Sequence, residues 1–459
     1  MLVNLFILNR FMSSADEHSC YFFAECIKSG KLWATPHPLS EFFDVVHIGN
    51  KDGKWFSVYP PGWPALFALG LKFKLIDWLN PALATVAVVL LYRTGKKIFS
   101  FSSTCLGIIL LTTTPFFLFN NAGYFSHTTC LLMISLFLFA YMKWQRRKST
   151  FWAVLAGFAV GYGLLTRYLT MAAIAVPFIA YEFSLLILRK SRFNRNYVAF
   201  GFVLFLMVWI NLSFNHAITG HFFNPPNHYH HRWERLGFQY DYTPFDAFMF
   251  IVARLFYLSD WIAPGMLVIY VISFLKKRKE DGKQFLFRFG FLFLVFGYIF
   301  YYSWGGNQYG PRYYFEGLPF LAMTAAASVI DWWRNGNSDF KKFLLGIIFV
   351  CFVGNVYLLA KQAAFFSRAS AQRKDLYALA EKTVRKPAIV FIRGFLGDAL
   401  VMSEEDAIRN SPWLDGSILY VRNLGAKNDL LKKYYPDREY YLGFYDRAHK
   451  KAQLEPLPK

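Results

Sequence analysis

The sequence predicts an all-α protein that crosses the membrane many times and ends in a small α/β domain. Of its residues, 55% are hydrophobic and only 17% are charged, and the mean hydropathy is +0.28. Soluble chains carry about 25% charged residues. The deficit falls in repeated apolar runs close to the roughly 20 residues that cross a bilayer. A soluble core would not repeat that length, so we expect an integral membrane protein.

Ten apolar runs are expected to cross the membrane, and a shorter first helix brings the total to about eleven spans. Residues 1–12 contain Asn4, Asn9 and Arg10 and supply only about half of a crossing, so we expect that this first helix is truncated at its start. The full spans are expected at 79–97, 103–120, 127–144, 151–167, 168–188, 197–216, 257–275, 285–303, 313–332 and 341–360.

The positions of Lys and Arg predict the orientation of the spans. Basic residues cluster in every second loop, which marks those loops as cytoplasmic. This orientation requires that residues 62–76 do not cross the bilayer; with Trp63 and Lys72, they suit a helix in the headgroup region. The segments expected on the outer face are 13–78, which forms the first outer loop, and 121–126, 217–256, 304–312 and 361–459.

The net charge of +21 does not indicate a nucleic-acid partner. The basic residues lie in loops and form no stripe with stacking aromatics, which a nucleic-acid surface requires. The five cysteines show no metal-ligand spacing and predict no disulfide framework.

The last part of the chain differs from the rest in composition. Charges become frequent, and short β-like runs alternate with helical stretches, a pattern typical of an α/β domain. We therefore expect a transmembrane domain over 1–360 and a small extracytoplasmic α/β domain over 361–459. The expected strands are 388–393, 417–421 and 439–445, and the expected helices lie near 371–385 and 427–435.

An acidic pair, Asp16-Glu17, stands at the exit of the first apolar segment. The chain has only 29 acidic residues, and a carboxylate at a membrane boundary is a candidate functional group. The alternative is an ordinary helix start, because acidic residues also favour the first turn of a helix.

Several segments after this pair carry a family resemblance through their order and spacing. They are Ser29-Gly30-Lys31-Leu32-Trp33, Tyr59-Pro60-Pro61-Gly62-Trp63-Pro64, Gly161 to Arg167, and Tyr309-Gly310-Pro311-Arg312-Tyr313-Tyr314-Phe315-Glu316. Over most of residues 1–335 the chain resembles the GT-C superfamily of membrane glycosyltransferases. It is most similar to the bacterial branch related to protein O-mannosyltransferases and lipid A aminoarabinose transferases. The C-terminal segment matches no family.

The resemblance implies an inverting glycosyltransferase in the bacterial inner membrane. It would move a hexose or pentose from a polyprenyl-phosphate-linked donor to a lipid, glycan or protein acceptor on the outer face. Asp16 matches the family's essential acidic residue, which would take the proton of the acceptor hydroxyl; Glu17 is the nearest alternative, or would orient Asp16. The rival interpretation is a non-catalytic membrane protein, either a transporter or a partner in an envelope complex.

Three basic residues are candidates for the donor phosphate. Arg312 is the first, because a guanidinium can hold phosphate oxygens bidentately; its alternative partner is Glu316. Arg167 would assist, or would be a structural arginine that extends to the interface. Lys54 is the third, although relatives that use a lysine carry it where this chain has Tyr59.

Sugar or acceptor contacts are expected from Tyr59, His127 and Trp233. His127 stands where many relatives have a second acidic residue, and would otherwise be an interfacial helix cap. Asp16, Glu17 and His127 together would form a site for Mg²⁺ or Mn²⁺. The histidines around Trp233 suggest zinc or, alternatively, a loop that stacks on sugars.

Overall fold

The computed structural model describes residues 1–190, 192–230, 236–239, 242–275, 281–303, 306, 308–393, 404–446 and 451–458. Most of these residues are helical. The helices are α1 (Ala15–Lys28), α2 (Gly62–Lys72), α3 (Ile76–Ile98), α4 (Phe101–Thr112), α5 (Pro115–Ala122), α6 (His127–Arg147), α7 (Thr150–Ile187), α8 (Arg195–Thr219), α9 (Pro226–His230), α10 (Pro244–Ser259), α11 (Met266–Ser273), α12 (Gly282–Gly297), α13 (Leu318–Asn335), α14 (Ser338–Thr383), α15 (Glu404–Ala407) and α16 (Asn428–Tyr434).

Within the described ranges, six helices are long and apolar enough to cross a membrane, namely α3, α6, α7, α8, α12 with the turn that follows it, and α14. The pair α4 and α5, bent by 60°, would make a seventh. The polytopic helical fold is thus confirmed, but length and composition mark fewer spans than the eleven expected. One reason is that α7 joins two expected spans, 151–167 and 168–188. Another is that the expected span 257–275 is divided between the ends of α10 and α11.

The C-terminal part forms a four-stranded sheet. The strands β3 (Ala388–Ile392), β4 (Ile418–Arg422), β5 (Glu439–Asp446) and β6 (Lys451–Leu457) follow a short hairpin of β1 (Ile48–Lys51) and β2 (Lys54–Ser57) in the first outer loop. Their order is β4-β3-β5-β6, with β3 parallel to β4 and β5 and with β6 antiparallel to β5. Three of the four strands were predicted. β6 was not predicted, because its charged residues and proline are typical of an edge strand and mask the alternation of apolar residues expected of a strand.

The first outer loop packs against this sheet. Phe42 and Phe391 are buried together, with ring centroids 6.4 Å apart, and the His37 ring lies 4.5 Å from that of Tyr434. The loop and the C-terminal part therefore share one apolar core, although the whole transmembrane region separates them in sequence.

Helix α14 links the two parts of the chain. It runs without interruption through residue 360, where the sequence suggested a domain boundary, and includes the helix expected near 371–385. The predicted helix over 62–76 also forms, as α2. It is held by a hydrogen bond from Trp63 Nε1 to the carbonyl of Tyr124, at 2.8 Å.

Candidate active site

A polar pocket of about 380 Å³ lies where α1, the segment before α2, the middle of α7 and the start of the 312–317 turn meet. Five of the predicted site residues line it: Asp16, Tyr59, His127, Arg167 and Arg312. They come from segments far apart in sequence, so the fold alone brings them together.

Asp16 is placed by the first turn of α1. Ser14 caps this helix, and its Oγ accepts a hydrogen bond from the Glu17 backbone N–H. The Asp16 carboxylate accepts a hydrogen bond from Arg312 Nη2 at 3.0 Å and another from the Tyr59 hydroxyl. Its side chain is 27% exposed, so it remains open to the pocket.

The surroundings of Asp16 favour its ionised form. Burial by itself would raise the pKa of Asp16, but the charge of Arg312, then that of His47, and hydrogen bonds from Tyr59 and Arg312 together lower it to about 2. Asp16 is therefore a carboxylate at any physiological pH.

Glu17 faces away from the pocket. It is fully buried, and its two carboxylate oxygens accept hydrogen bonds from the backbone N–H groups of Ser13 and Tyr124, both at 2.7 Å. Burial raises the pKa of Glu17, while these two backbone donors act in the opposite direction. The predicted alternative base is thus engaged with the backbone and joins α1 to the 121–126 loop.

Arg312 points towards Asp16 and not towards Glu316, which corrects the alternative pairing suggested by their spacing. The guanidinium also lies 3.9 Å from the centre of the Phe125 ring, and its Nε is buried without a hydrogen-bond partner in the described structure. A guanidinium that lines a pocket is suited to bind an anion.

Glu316 instead pairs with Arg167 and His127. Its Oε1 lies 3.1 Å from Arg167 Nε and 3.1 Å from His127 Nδ1. Arg167 interrupts α7 with an extended backbone (φ −150°, ψ 82°), and this break turns its side chain into the pocket. Arg167 Nη2 also donates to the Tyr298 hydroxyl at 3.0 Å.

The predicted metal site is not assembled. Asp16 faces Arg312, Glu17 faces backbone amides and His127 faces Glu316, so their donor atoms do not converge. Over the described residues, no three His, Cys, Asp or Glu side chains form a group suited to a metal ion. These residues do not fit Mg²⁺ or Mn²⁺, and we derive no step through a metal.

Two further predictions fare differently. Lys54 lies outside the pocket, because its Nζ donates to the carbonyls of Ala217 and Ile218 at 2.7 and 3.2 Å. A cation is favoured there, at the carboxyl end of α8, which corrects the predicted phosphate contact. Trp233 lies outside the described residues.

Among the polar pocket residues that the sequence did not predict are His47 and Tyr298. His47 Nε2 lies 3.7 Å from Asp16 Oδ1. No pattern in the sequence around His47 indicates that it belongs to the site. Tyr298 exchanges a hydrogen bond of 2.7 Å with Thr170, and its ring stacks on that of Tyr313 at 4.9 Å. The tyrosines that end a Phe-rich span were an available signal, because tyrosine combines an apolar ring with a polar end.

A separate apolar groove of about 600 Å³ lies between α7 and α12 and is lined by residues that follow or precede the pocket residues in the chain. On α7, Thr170 lines the pocket and Ala172 lines the groove. At the end of α12, Gly297 lines the groove, and the next residue, Tyr298, lines the pocket. The groove is lined by Ala172, Ala173, Val176, Pro177, Leu292, Phe293, Phe296 and Gly297.

Comparisons with known proteins agree with this architecture. A family model described as dolichyl-phosphate-mannose-protein mannosyltransferase matches residues 65–214. Crystal structures of ArnT from Cupriavidus metallidurans, one apo and one bound to undecaprenyl phosphate, match with a TM-score of 0.56 at 12% identity, covering 98% of this chain and 92% of theirs.

The oligosaccharyltransferase of Archaeoglobus fulgidus in its apo form matches with a TM-score of 0.51 at 12% identity, covering 94% of this chain and 66% of its own. A search of the curated proteins gives no sequence match. The predicted GT-C resemblance is confirmed, and the chain has the GT-C fold. The family match contains neither Asp16 nor Arg312, so their roles are argued from the geometry.

Proposed function

We propose that the protein is an inverting glycosyltransferase that moves a sugar from a polyprenyl-phosphate-linked donor to an acceptor on the outer face of the bacterial inner membrane. The observation that carries the proposal is the contact between Asp16 and Arg312 in the polar pocket. A base and a cation are thereby adjacent, and an apolar groove is lined by neighbouring residues of α7 and α12. The GT-C fold and the undecaprenyl phosphate bound by ArnT support the same reading.

The base in this reaction is Asp16. The acceptor hydroxyl attacks the anomeric carbon while the bond from that carbon to the phosphate oxygen breaks, and Asp16 takes the hydroxyl proton. A single displacement of this kind inverts the anomeric configuration. The sugar ends on the acceptor, and polyprenyl phosphate leaves with the bonding electron pair.

The charge that develops on the leaving phosphate needs a fixed positive group. Arg312 supplies it, because its guanidinium lines the pocket beside Asp16. Arg167 also lines the pocket but is paired with Glu316, so we assign it the weaker role of holding Tyr298 and the pocket wall.

Donor binding also strengthens the base. Without a donor, Arg312 is the main group that lowers the pKa of Asp16. A phosphate near Arg312 offsets that positive charge and raises the pKa of Asp16. Brønsted behaviour favours a base whose pKa lies nearer the working pH. The carboxylate therefore becomes a better base when the donor is present.

The lipid part of the donor occupies the groove between α7 and α12. Its lining is apolar throughout, and Val176 and Phe296 at its surface are 57% and 62% exposed. A long isoprenoid chain would cover these side chains while its phosphate lies in the pocket.

The proposal is tested with the full chain in lipid nanodiscs. Undecaprenyl phosphates that carry radiolabelled mannose or aminoarabinose are added with an extract of bacterial envelope lipids, glycans and proteins. We expect transfer of label and release of undecaprenyl phosphate from at least one donor. Intact donors throughout would contradict the proposal and favour the non-catalytic alternative.

A further inference from the structure

The segment Ile7 to Ser13, here called the N-terminal strap, is fixed by α14 over its whole length. Polar side chains on one face of α14 bind its backbone carbonyls and one amide side chain. The contacts are Ser370 Oγ to the Ile7 carbonyl at 2.7 Å, Asn9 Nδ2 to Ser370 Oγ at 2.8 Å, Lys374 Nζ to the Asn9 carbonyl at 3.0 Å, and Arg373 Nη1 to the Ser13 carbonyl at 2.6 Å.

A second guanidinium holds the same end of the strap. Arg409, which follows α15, donates through Nη1 to the carbonyl of Met12, and its guanidinium lies 5.0 Å from the Phe11 ring. That ring also packs against Tyr377 of α14, with centroids 5.5 Å apart. Two arginines from the C-terminal part therefore bind two consecutive carbonyls of the strap.

The fixed end of the strap leads directly into α1. Ser13 binds Arg373 through its carbonyl and Glu17 through its N–H, and Ser14 is the cap of the helix. Asp16 lies in the first turn after this cap. Any rotation of the Ser13 peptide thus changes the direction in which Asp16 enters the pocket.

We infer that Arg373 and Arg409 are positioning residues that set the orientation of Asp16 through the strap, an inference that rests on the proposed function. The C-terminal α/β part then supports the catalytic pocket through the strap. Arg373 touches neither donor nor acceptor in this account. It acts only by holding the backbone from which Asp16 projects.

The test compares R373A and R373K with R368A in the full chain. Arg368 lies on the same helix, is exposed and forms no hydrogen bond or ion pair with the strap in the described part of the chain, so R368A removes the same charge without affecting the strap. Donor turnover, KM for the donor, melting temperature and the acid limb of the pH–rate profile are measured for each. We expect R373A to lose about 10²-fold in kcat with KM nearly unchanged, since small misplacements of reacting groups have effects of that size.

We expect the acid limb of R373A to move to higher pH, because a turned Asp16 loses part of its contact with Arg312, and R373K to recover part of the rate. If the wild type transfers sugar and R373A matches R368A in kcat and in acid limb, the inference is wrong while the proposed function stands. Absence of transfer by the wild type would instead contradict the proposed function. Should R373A fail to fold, R409K, which alters the second guanidinium on the strap, replaces it under the same two outcomes.

Discussion

The Arg312 guanidinium lies 3.0 Å from the Asp16 carboxylate, although 296 positions separate the two residues in the sequence. The contact joins the first turn of α1 to the turn that precedes α13. It places a candidate base next to a candidate phosphate ligand, and the charge of Arg312 helps to lower the pKa of Asp16.

Replacing Asp16 with Asn should remove the base and leave the fold intact. The amide keeps the shape of the side chain but cannot accept a proton, so we expect kcat to fall by about 10²- to 10⁴-fold. Transfer of labelled sugar measures this. D44N is the matched control, because Asp44 lies in the same loop region and is exposed. Equal rates for D16N and the wild type would contradict the role of Asp16.

Replacing Glu17 with Gln should affect stability more than catalysis. Its carboxylate accepts two backbone N–H groups in a buried site, and an amide can satisfy only one of them while its NH₂ opposes the other. We expect a loss of about 1–3 kcal/mol in the free energy of unfolding, measured as a lower melting temperature. A stable E17Q protein without activity would make Glu17 the base instead.

Removing Arg312 should change the pH dependence as well as donor binding. In the wild type the pKa of Asp16 is held at about 2, so the carboxylate is lost only when the pH falls through that value. Without Arg312 the main lowering charge is gone and the pKa rises, so the acid limb of kcat/KM in R312A moves to higher pH. KM for the donor should rise about tenfold or more, as expected for a lost charge-assisted hydrogen bond. An unmoved limb with an unchanged KM would exclude the contact from function.

Lys54→Ala should leave donor binding unchanged, in contrast to R312A. Lys54 Nζ binds the last carbonyls of α8 and lies over the Trp33 ring at 4.9 Å, so its loss loosens the outer loop only. We expect the same KM for undecaprenyl-phosphate sugar as in the wild type. A KM for the donor raised as far as in R312A would indicate that Lys54 does contact the donor phosphate.

A large side chain in the groove should discriminate between long and short donors. A172W places an indole in the groove, whereas A180W puts the same residue on an exposed face of α7 outside it. We expect A172W to raise KM for the undecaprenyl donor and to leave a donor with a chain of two isoprene units almost unaffected. Equal effects on both donors, or equal effects of A172W and A180W, would contradict binding of the donor lipid in this groove.

The features that were predictable from sequence are those with a local signal. The apolar runs that became α3, α6 and α8, and the strands β3, β4 and β5, carry the periodicity or composition that defines them. Asp16 and Arg312 each stand at a polar break next to an apolar segment, and their roles were predicted chiefly from the resemblance to the GT-C superfamily.

The predictions that were wrong concern which side chains and backbone groups contact each other. Glu316 lies four residues after Arg312 and yet binds Arg167, since the break in α7 brings Arg167 closer. Lys54 stands in the sequence near the position where a phosphate-binding lysine was expected, but its Nζ binds a carbonyl at the carboxyl end of α8. Which groups pair depends on their distances in the folded structure, and the spacing of residues along the chain does not determine those distances.

The central claim is that one pocket holds the donor phosphate against Arg312 and the anomeric carbon against Asp16. The direct measurement is an experimental structure of the D16N variant with an undecaprenyl-phosphate sugar bound. We predict phosphate oxygens within hydrogen-bond distance of Arg312, the anomeric carbon facing residue 16 and the isoprenoid chain between α7 and α12. A phosphate bound away from Arg312, with the sugar outside the pocket, would contradict the account.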